Sequence, residues 1–134
     1  MKVEGQCHCG KIAFEAEVEP GAVRVCHCSD CQTLTGSAFR ANVTAPAATF
    51  RLLRGAPKIY LKTADSGAKR AHAFCPDCGT PIYAAAPANP ESYSLRLGTL
   101  GQRARLGPPQ RQIWCRSALP WSLLPGAEKS DTQP

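Results

Sequence analysis

The chain has 134 residues, the size of one domain. Hydrophobic residues make up 43% of it, and no apolar run approaches about 18 residues, which excludes a disordered chain and a membrane-spanning helix. The formal charge is +6, and residues 51–120 hold the excess, with 11 basic against 3 acidic side chains. Such a basic middle admits nucleic acid, a membrane surface or a small anionic ligand as partner.

The predicted elements are short strands. From Lys11 to Val18 the chain alternates, with Ile12, Phe14, Ala16 and Val18 on one face, as a half-buried strand requires. Pro20-Gly21 ends it, and Ala22–Val25 leads as a second strand into a cysteine cluster. One helical turn is expected at Ser29–Leu34, with Ser29 or Asp30 as N-cap. Phe39, Ala41 and Val43 alternate again. Phe50–Leu53 and Lys58–Lys62 flank a turn at Gly55-Ala56-Pro57. Ala71–Phe74, Pro81–Ala84, Tyr93–Leu97 and Ile113–Cys115 complete the set. No segment of ten residues carries a 3.6-residue apolar period, so the fold class is all-β, with small sheets and at most one or two short helices. One ordered domain is expected over residues 3–121. Residues 122–134, polar and ending in proline, read as a flexible tail.

Eight cysteines are far more than a chain of this length ordinarily carries. Met1–Gly5 lacks the apolar core of an export signal, so the expected compartment is the cytoplasm. There, cysteine enrichment points to metal rather than to disulfides. The cysteines fall into three clusters: Cys7-x-Cys9, Cys26-x-Cys28-x-x-Cys31 and Cys75-x-x-Cys78. Thiolates at such spacing converge on one ion, and zinc prefers four soft ligands in a tetrahedron. Gly10 and Gly79 directly follow the second cysteine of the first and third clusters, where a positive φ lets the backbone curl around the thiolates. The two half-sites therefore pair as one closed site of Cys7, Cys9, Cys75 and Cys78, a structural zinc that spans 65 intervening residues.

Cys26, Cys28 and Cys31 supply three thiolates without a local fourth. Three protein ligands and an open position are the form of zinc that does chemistry, and this makes the trio the candidate catalytic centre. Cys115, His8, His27, His72 and Asp30 are the possible fourth ligands. Cys115 is the main rival, because it is the one thiol outside the clusters, although a core role suits it better. His27, between two ligands, points away from the metal in an extended turn. The histidines read as solvated or supporting groups, and Arg51, Arg54, Lys58, Lys62, Lys69 and Arg70 as an exposed face. Seven thiolates on two zinc ions lower the charge from +6 to +3, which weakens a nucleic-acid reading.

These residues resemble the glutathione-dependent formaldehyde-activating enzymes, a family whose domain is shared with centromere protein V. The matching run is Cys7-x-Cys9-Gly10, then Cys26-x-Cys28-x-x-Cys31 with Gly36-Ser37 and Phe39, then Phe74-Cys75-x-x-Cys78-Gly79-Thr80, and last Ile113-Trp114, Ser117 and Pro120-Trp121. The resemblance implies a zinc-bound β-tent and the same two zinc sites. It implies a carbon–sulfur lyase that joins glutathione to formaldehyde as S-hydroxymethylglutathione, or acts on a related small electrophile. The expected partners are a small-molecule thiol and an aldehyde, with no membrane, and nucleic acid is disfavoured. Arg40, Arg70 or Arg96 would hold a glutathione carboxylate. The alternative is a non-catalytic zinc module that binds a partner or nucleic acid through its basic middle. Gln112 departs from the family pattern, which places a His before Ile113-Trp114, and this bears on the substrate pocket.

Overall fold

The computed structural model describes residues 1–133. In chain order the strands are β1 (Lys2–Gln6), β2 (Ala13–Glu17), β3 (Arg24–Cys26), β4 (Arg40–Pro46), β5 (Arg51–Arg54) and β6 (Lys58–Thr63). They continue as β7 (Lys69–Phe74), β8 (Pro81–Ala85), β9 (Ser92–Arg96), β10 (Arg111–Ile113) and β11 (Glu128–Lys129). One α-helix, α1 (Ser29–Thr35), and four short 3-10 turns complete the chain, so the all-β expectation holds. No helix among the described residues is long and apolar enough to cross a membrane.

The strands form two sheets. β1, β2 and β5 make a three-stranded antiparallel sheet, and the other eight strands lie in the spatial order β11-β10-β3-β4-β9-β8-β7-β6. The core sits between them. Val3, Ile12, Phe14, Ala16 and Val18 come from the first sheet and its flanks, and Val43, Ala45, Ala73, Ile82 and Leu95 from the second. Phe50 bridges the two, stacked on Tyr93 at 4.2 Å and on Phe14 at 5.5 Å between ring centroids. The alternation read in β2 is the burial observed, because Ile12, Phe14, Ala16 and Val18 are all buried.

The strands on either side of the Gly55–Pro57 turn lie in different sheets: β5 joins β2, and β6 lies at the far edge of the larger sheet. Two local expectations are corrected. β4 is covered on both faces, so Arg40 and Asn42 are buried along with Val43 and Ala45. Residues 122–133 are not a loose tail. β11 pairs parallel with β10, and backbone amides of Cys115 and Arg116 donate to the carbonyls of Ser130 and Asp131 at 3.0 and 3.2 Å. Buried Ser122 and Ala127 pin the segment from within. Pro134 lies outside the described residues.

Candidate metal centres

Cys7 and Cys9 sit in the turn of the β1–β2 hairpin, and Cys75 and Cys78 in the turn between β7 and β8. The two turns are built alike. Gly10 N–H donates to the Cys7 carbonyl at 3.1 Å, and Gly79 N–H to the Cys75 carbonyl at 2.8 Å. Both glycines have positive φ, 81° and 78°. An L side chain resists that conformation, which is why glycine follows the second cysteine in each turn. Further hydrogen bonds close the turns, from Cys7 N–H to the Ile12 carbonyl at 3.1 Å and from Cys75 N–H to the Thr80 carbonyl at 2.9 Å.

The result is one cluster. All four sulfurs lie within 4.8 Å of one another, with Cys7–Cys9 at 3.6 Å and Cys9–Cys75 at 3.8 Å. Four sulfurs bonded to a central ion at about 2.3 Å stand about 3.8 Å apart, so this donor set fits a tetrahedral zinc. All eight cysteines are free of disulfides. Ile12 N–H donates to Cys7 Sγ at 3.3 Å, and the Thr80 hydroxyl lies 3.2 Å from Cys78 Sγ. The Thr80 hydroxyl is the main cause that lowers the Cys78 thiol to about 5.

The second cluster forms where β3 runs into α1. Cys26 ends the strand, Cys28 caps the helix and Cys31 lies in its first turn, with the three sulfurs within 4.8 Å of one another. The cap is therefore Cys28 rather than Ser29 or Asp30: its sulfur accepts from Cys31 N–H at 3.3 Å. Hydrogen bonds from Cys26 and then Cys28 favour the thiolate of Cys31, and the Arg40 guanidinium beside it adds to the effect. Cys26 is pushed up, by its hydrogen bonds with Cys28 and Cys31. Three thiols around one site thus hold a single negative charge readily, and a cation is needed to hold more.

Among the described residues, no fourth Cys, His, Asp or Glu donor lies within the same reach of this trio. Cys115 stands apart, with its thiol against the Gln112 carbonyl at 3.6 Å. His27 is turned away and fully buried, so it is not solvated. Its Nε2 lies 3.0 Å from Gln112 Oε1 and its Nδ1 3.5 Å from Ser122 Oγ. His27 N–H donates to the Ile113 carbonyl at 3.0 Å, which fixes the backbone between Cys26 and Cys28 to β10. Gln112 is also fully buried and reaches the turn between Cys26 and Cys28 through His27.

Of the basic residues read as an exposed face, Arg51, Arg54, Lys58 and Lys69 are exposed. Lys62 is drawn in toward α1, where it pairs with Asp30 at 2.9 Å, and Arg70 is half-buried. Arg40 and Arg96 are buried, and both line two neighbouring cavities of about 830 and 360 Å³. The structure thus separates Arg40 and Arg96, in the cavity walls, from Arg70. Sequence reading had no means to rank the three, because an arginine in a strand gives no sign of which cavity it borders.

The sequence model of the glutathione-dependent formaldehyde-activating enzymes matches residues 2–117. A crystal structure of a protein from Rhodobacter sphaeroides is similar at 30% identity, over 73% of this chain and 87% of that one, with a TM-score of 0.58. No functionally curated protein matches the chain.

Proposed function

The chain belongs to the glutathione-dependent formaldehyde-activating enzyme family, and from this premise we propose that it joins glutathione to formaldehyde, or to a related small electrophile, at a zinc held by Cys26, Cys28 and Cys31. The observation that carries this reading is the convergence of three sulfurs with no fourth protein donor in reach. A second zinc, on Cys7, Cys9, Cys75 and Cys78, has a structural role: it ties the β1–β2 turn to the β7–β8 turn across the core. The catalytic domain is taken as residues 3–121 together with the segment that adds β11 to its sheet, and the cytoplasm as its compartment.

In the forward reaction the glutathione thiolate attacks the formaldehyde carbon. The carbonyl π pair moves to oxygen, which takes up a proton, and the thiol proton is released to solvent. The reverse is the lyase reaction. When bound, zinc supplies a Lewis acid that favours a thiolate over a thiol and polarises a carbonyl oxygen. The chain's own groups supply the remainder. Arg40 compensates the negative charge of the cysteine trio. The contacts of His27 with Gln112 and Ile113 hold the backbone between two ligands in place. The cavities that Arg40 lines, reached from the trio through Arg40 beside Cys31, would bring two small reactants together, which alone lowers the barrier by removing translational freedom.

The alternative of a basic binding module has exposed Arg51, Arg54, Lys58 and Lys69 to draw on, but Arg96 of the same basic stretch is turned into a cavity. The test is exchange spectroscopy of glutathione, formaldehyde and adduct at equilibrium. Wild-type protein should speed the exchange above both buffer and the Cys28→Ser variant. Equal rates in all three would remove the activity. Binding to nucleic acid that weakens steeply with salt would then favour the module.

A further inference from the structure

A free strand edge is a template for another strand, and most proteins blunt theirs. The two sheets have four edges, and among the described residues three are blunted. β11 has two residues only. β1 is covered: Gly5 bridges to Leu100, and Gly101 N–H donates to the Glu4 carbonyl at 2.9 Å. β5 has four residues, carries Arg51 and Arg54 at its ends, and meets β2 in a shifted register. β6 has none of these devices. Its six residues run in unbroken antiparallel register with β7, and no backbone hydrogen bond outside that ladder involves them.

β6 is also apolar where an edge is ordinarily polar. Ile59, Tyr60 and Leu61 are 44%, 53% and 48% exposed. Three such residues in a row make both faces of the edge apolar. On the face of Ile59 and Leu61 the apolar surface continues inward over Ala71, Tyr83 and Ala85, around a hollow of about 210 Å³. On the other face Tyr60 lies beside Leu34 of α1. With Leu34 these side chains display on the order of 350 Å² of apolar surface, the size of a functional patch on a monomer. Stable interfaces begin at roughly 600 Å² per partner, so this patch is about half of one. Exposed Lys58 and Thr63 and the free strand backbone supply a polar rim for the remainder.

We propose that β6 pairs antiparallel with β6 of a second copy of this chain, about a two-fold axis through Tyr60, so that the larger sheets of the two chains join. The segment Lys58-Ile59-Tyr60-Leu61-Lys62 has the same pattern in both directions: basic, aliphatic, tyrosine, aliphatic, basic. That is the self-complementarity a two-fold contact requires. Centred on Tyr60, the pairing sets Tyr60 against Tyr60 and Ile59 against Leu61 on either side of the axis, aromatic and aliphatic cross-strand pairs that stabilise a sheet. Lys58 then faces Lys62, whose charge is already compensated by Asp30 at 2.9 Å. Centred on Leu61, the pairing would set Tyr60 against Lys62 and Ile59 against Thr63, and centred on Ile59 it would set Tyr60 against Lys58. Both lose apolar pairs.

Sedimentation equilibrium of the zinc-loaded full chain tests this, at concentrations from about 1 μM to about 1 mM, a span that covers weak and moderate Kd values. The mass should rise to twice 14.3 kDa. Leu61→Lys and Tyr60→Lys, each repeated on both sides of the axis, should weaken the dimer at least about tenfold. Leu52→Lys, on the exposed β5 edge of the other sheet, should leave it intact. Opposed residues of an antiparallel pair stand about 4.5–5.5 Å apart at Cα, within disulfide reach. Tyr60→Cys should therefore form a covalent dimer under air, above the background set by the wild-type cysteines, and Leu52→Cys should not. A monomer at every concentration overturns the pairing and leaves the edge to a different protein or to none. A dimer that survives Leu61→Lys and Tyr60→Lys, or is lost equally with Leu52→Lys, places the contact elsewhere and overturns it too. So does a Tyr60→Cys protein that cross-links no more than wild type.

Discussion

Gln112 Oε1 accepts a hydrogen bond from His27 Nε2 at 3.0 Å, and both side chains are fully buried. The orientation of the amide is set independently. The same oxygen accepts from Leu124 N–H at 2.9 Å, and the amide nitrogen donates to the Leu124 carbonyl at 2.8 Å. His27 therefore carries its proton on Nε2. One amide side chain thus joins β10, the turn between two cysteine ligands and the segment that follows residue 121.

Gln112→Leu keeps much of the volume and removes all of these bonds. It should destabilise the zinc-loaded protein by roughly 2–4 kcal/mol, since it strands buried groups on His27 and Leu124. Urea unfolding measures this. A change within 0.5 kcal/mol of zero, the usual effect of a surface substitution, would show that the network is not what holds the turn.

The seven clustered cysteines predict two zinc ions per chain in reduced protein purified without chelator, counted by elemental analysis. A mild chelator should remove one ion first, because three ligands hold less firmly than four. Less than one zinc, with disulfides among these residues, would contradict the account.

Cys75→Ser breaks a cross-link between turns far apart in the chain and should leave the domain unfolded or metal-poor at 25 °C. Cys28→Ser should fold and lose one ion only. Circular dichroism and metal content together check this pair. Equal damage from both would end the division into a structural and a reactive site.

His72 is held down at about 4 by burial first, and then by the charges of Arg96, Arg40, Lys62 and Arg70 around it; Lys62 is itself paired with Asp30. The unfolded chain binds this proton near 6.5, and the native chain resists it. Stability should therefore fall as pH drops from about 6.5 towards 4. His72→Gln should flatten that part of the profile relative to wild type. NMR titration of the imidazole gives the direct value, and a midpoint at or above 6.5 would contradict the burial and charge assigned to it.

The turns that gather the cysteines were legible in the sequence because short-range chemistry dictates them. Gly10 and Gly79 announced the positive φ they adopt, and the alternation at Ile12, Phe14, Ala16 and Val18 announced the buried face of β2. The rest depends on contacts distant in the chain. β5 and β6 look like a hairpin across Gly55–Pro57, but the pairing of β5 with β2 decides otherwise. The segment around Glu128 is polar and proline-flanked, so nothing local shows that β10 needs a neighbour there. Arg40 and Asn42 look solvent-facing in sequence, and only the packing of both sheet faces reveals them as buried.

The pairing of β11 carries its own expectation. Removal of residues 126–134 takes away β11 and the Ala127 carbonyl, which accepts from Gln112 at 3.4 Å. The melting temperature should fall by at least about 4 °C, the shift for about 1 kcal/mol in a domain of this size. An unchanged melting curve would return this segment to the status of a loose tail.

The meeting of glutathione sulfur with the three-cysteine centre is read most directly by cadmium-113 NMR of protein loaded with two cadmium ions. Two resonances are predicted, one from the four-sulfur site and one from Cys26, Cys28 and Cys31. Glutathione should move only the second, towards the position of a four-sulfur site, and S-methylglutathione should not produce that move. Two resonances that both ignore glutathione, or a second site already at the four-sulfur position without it, would contradict the account.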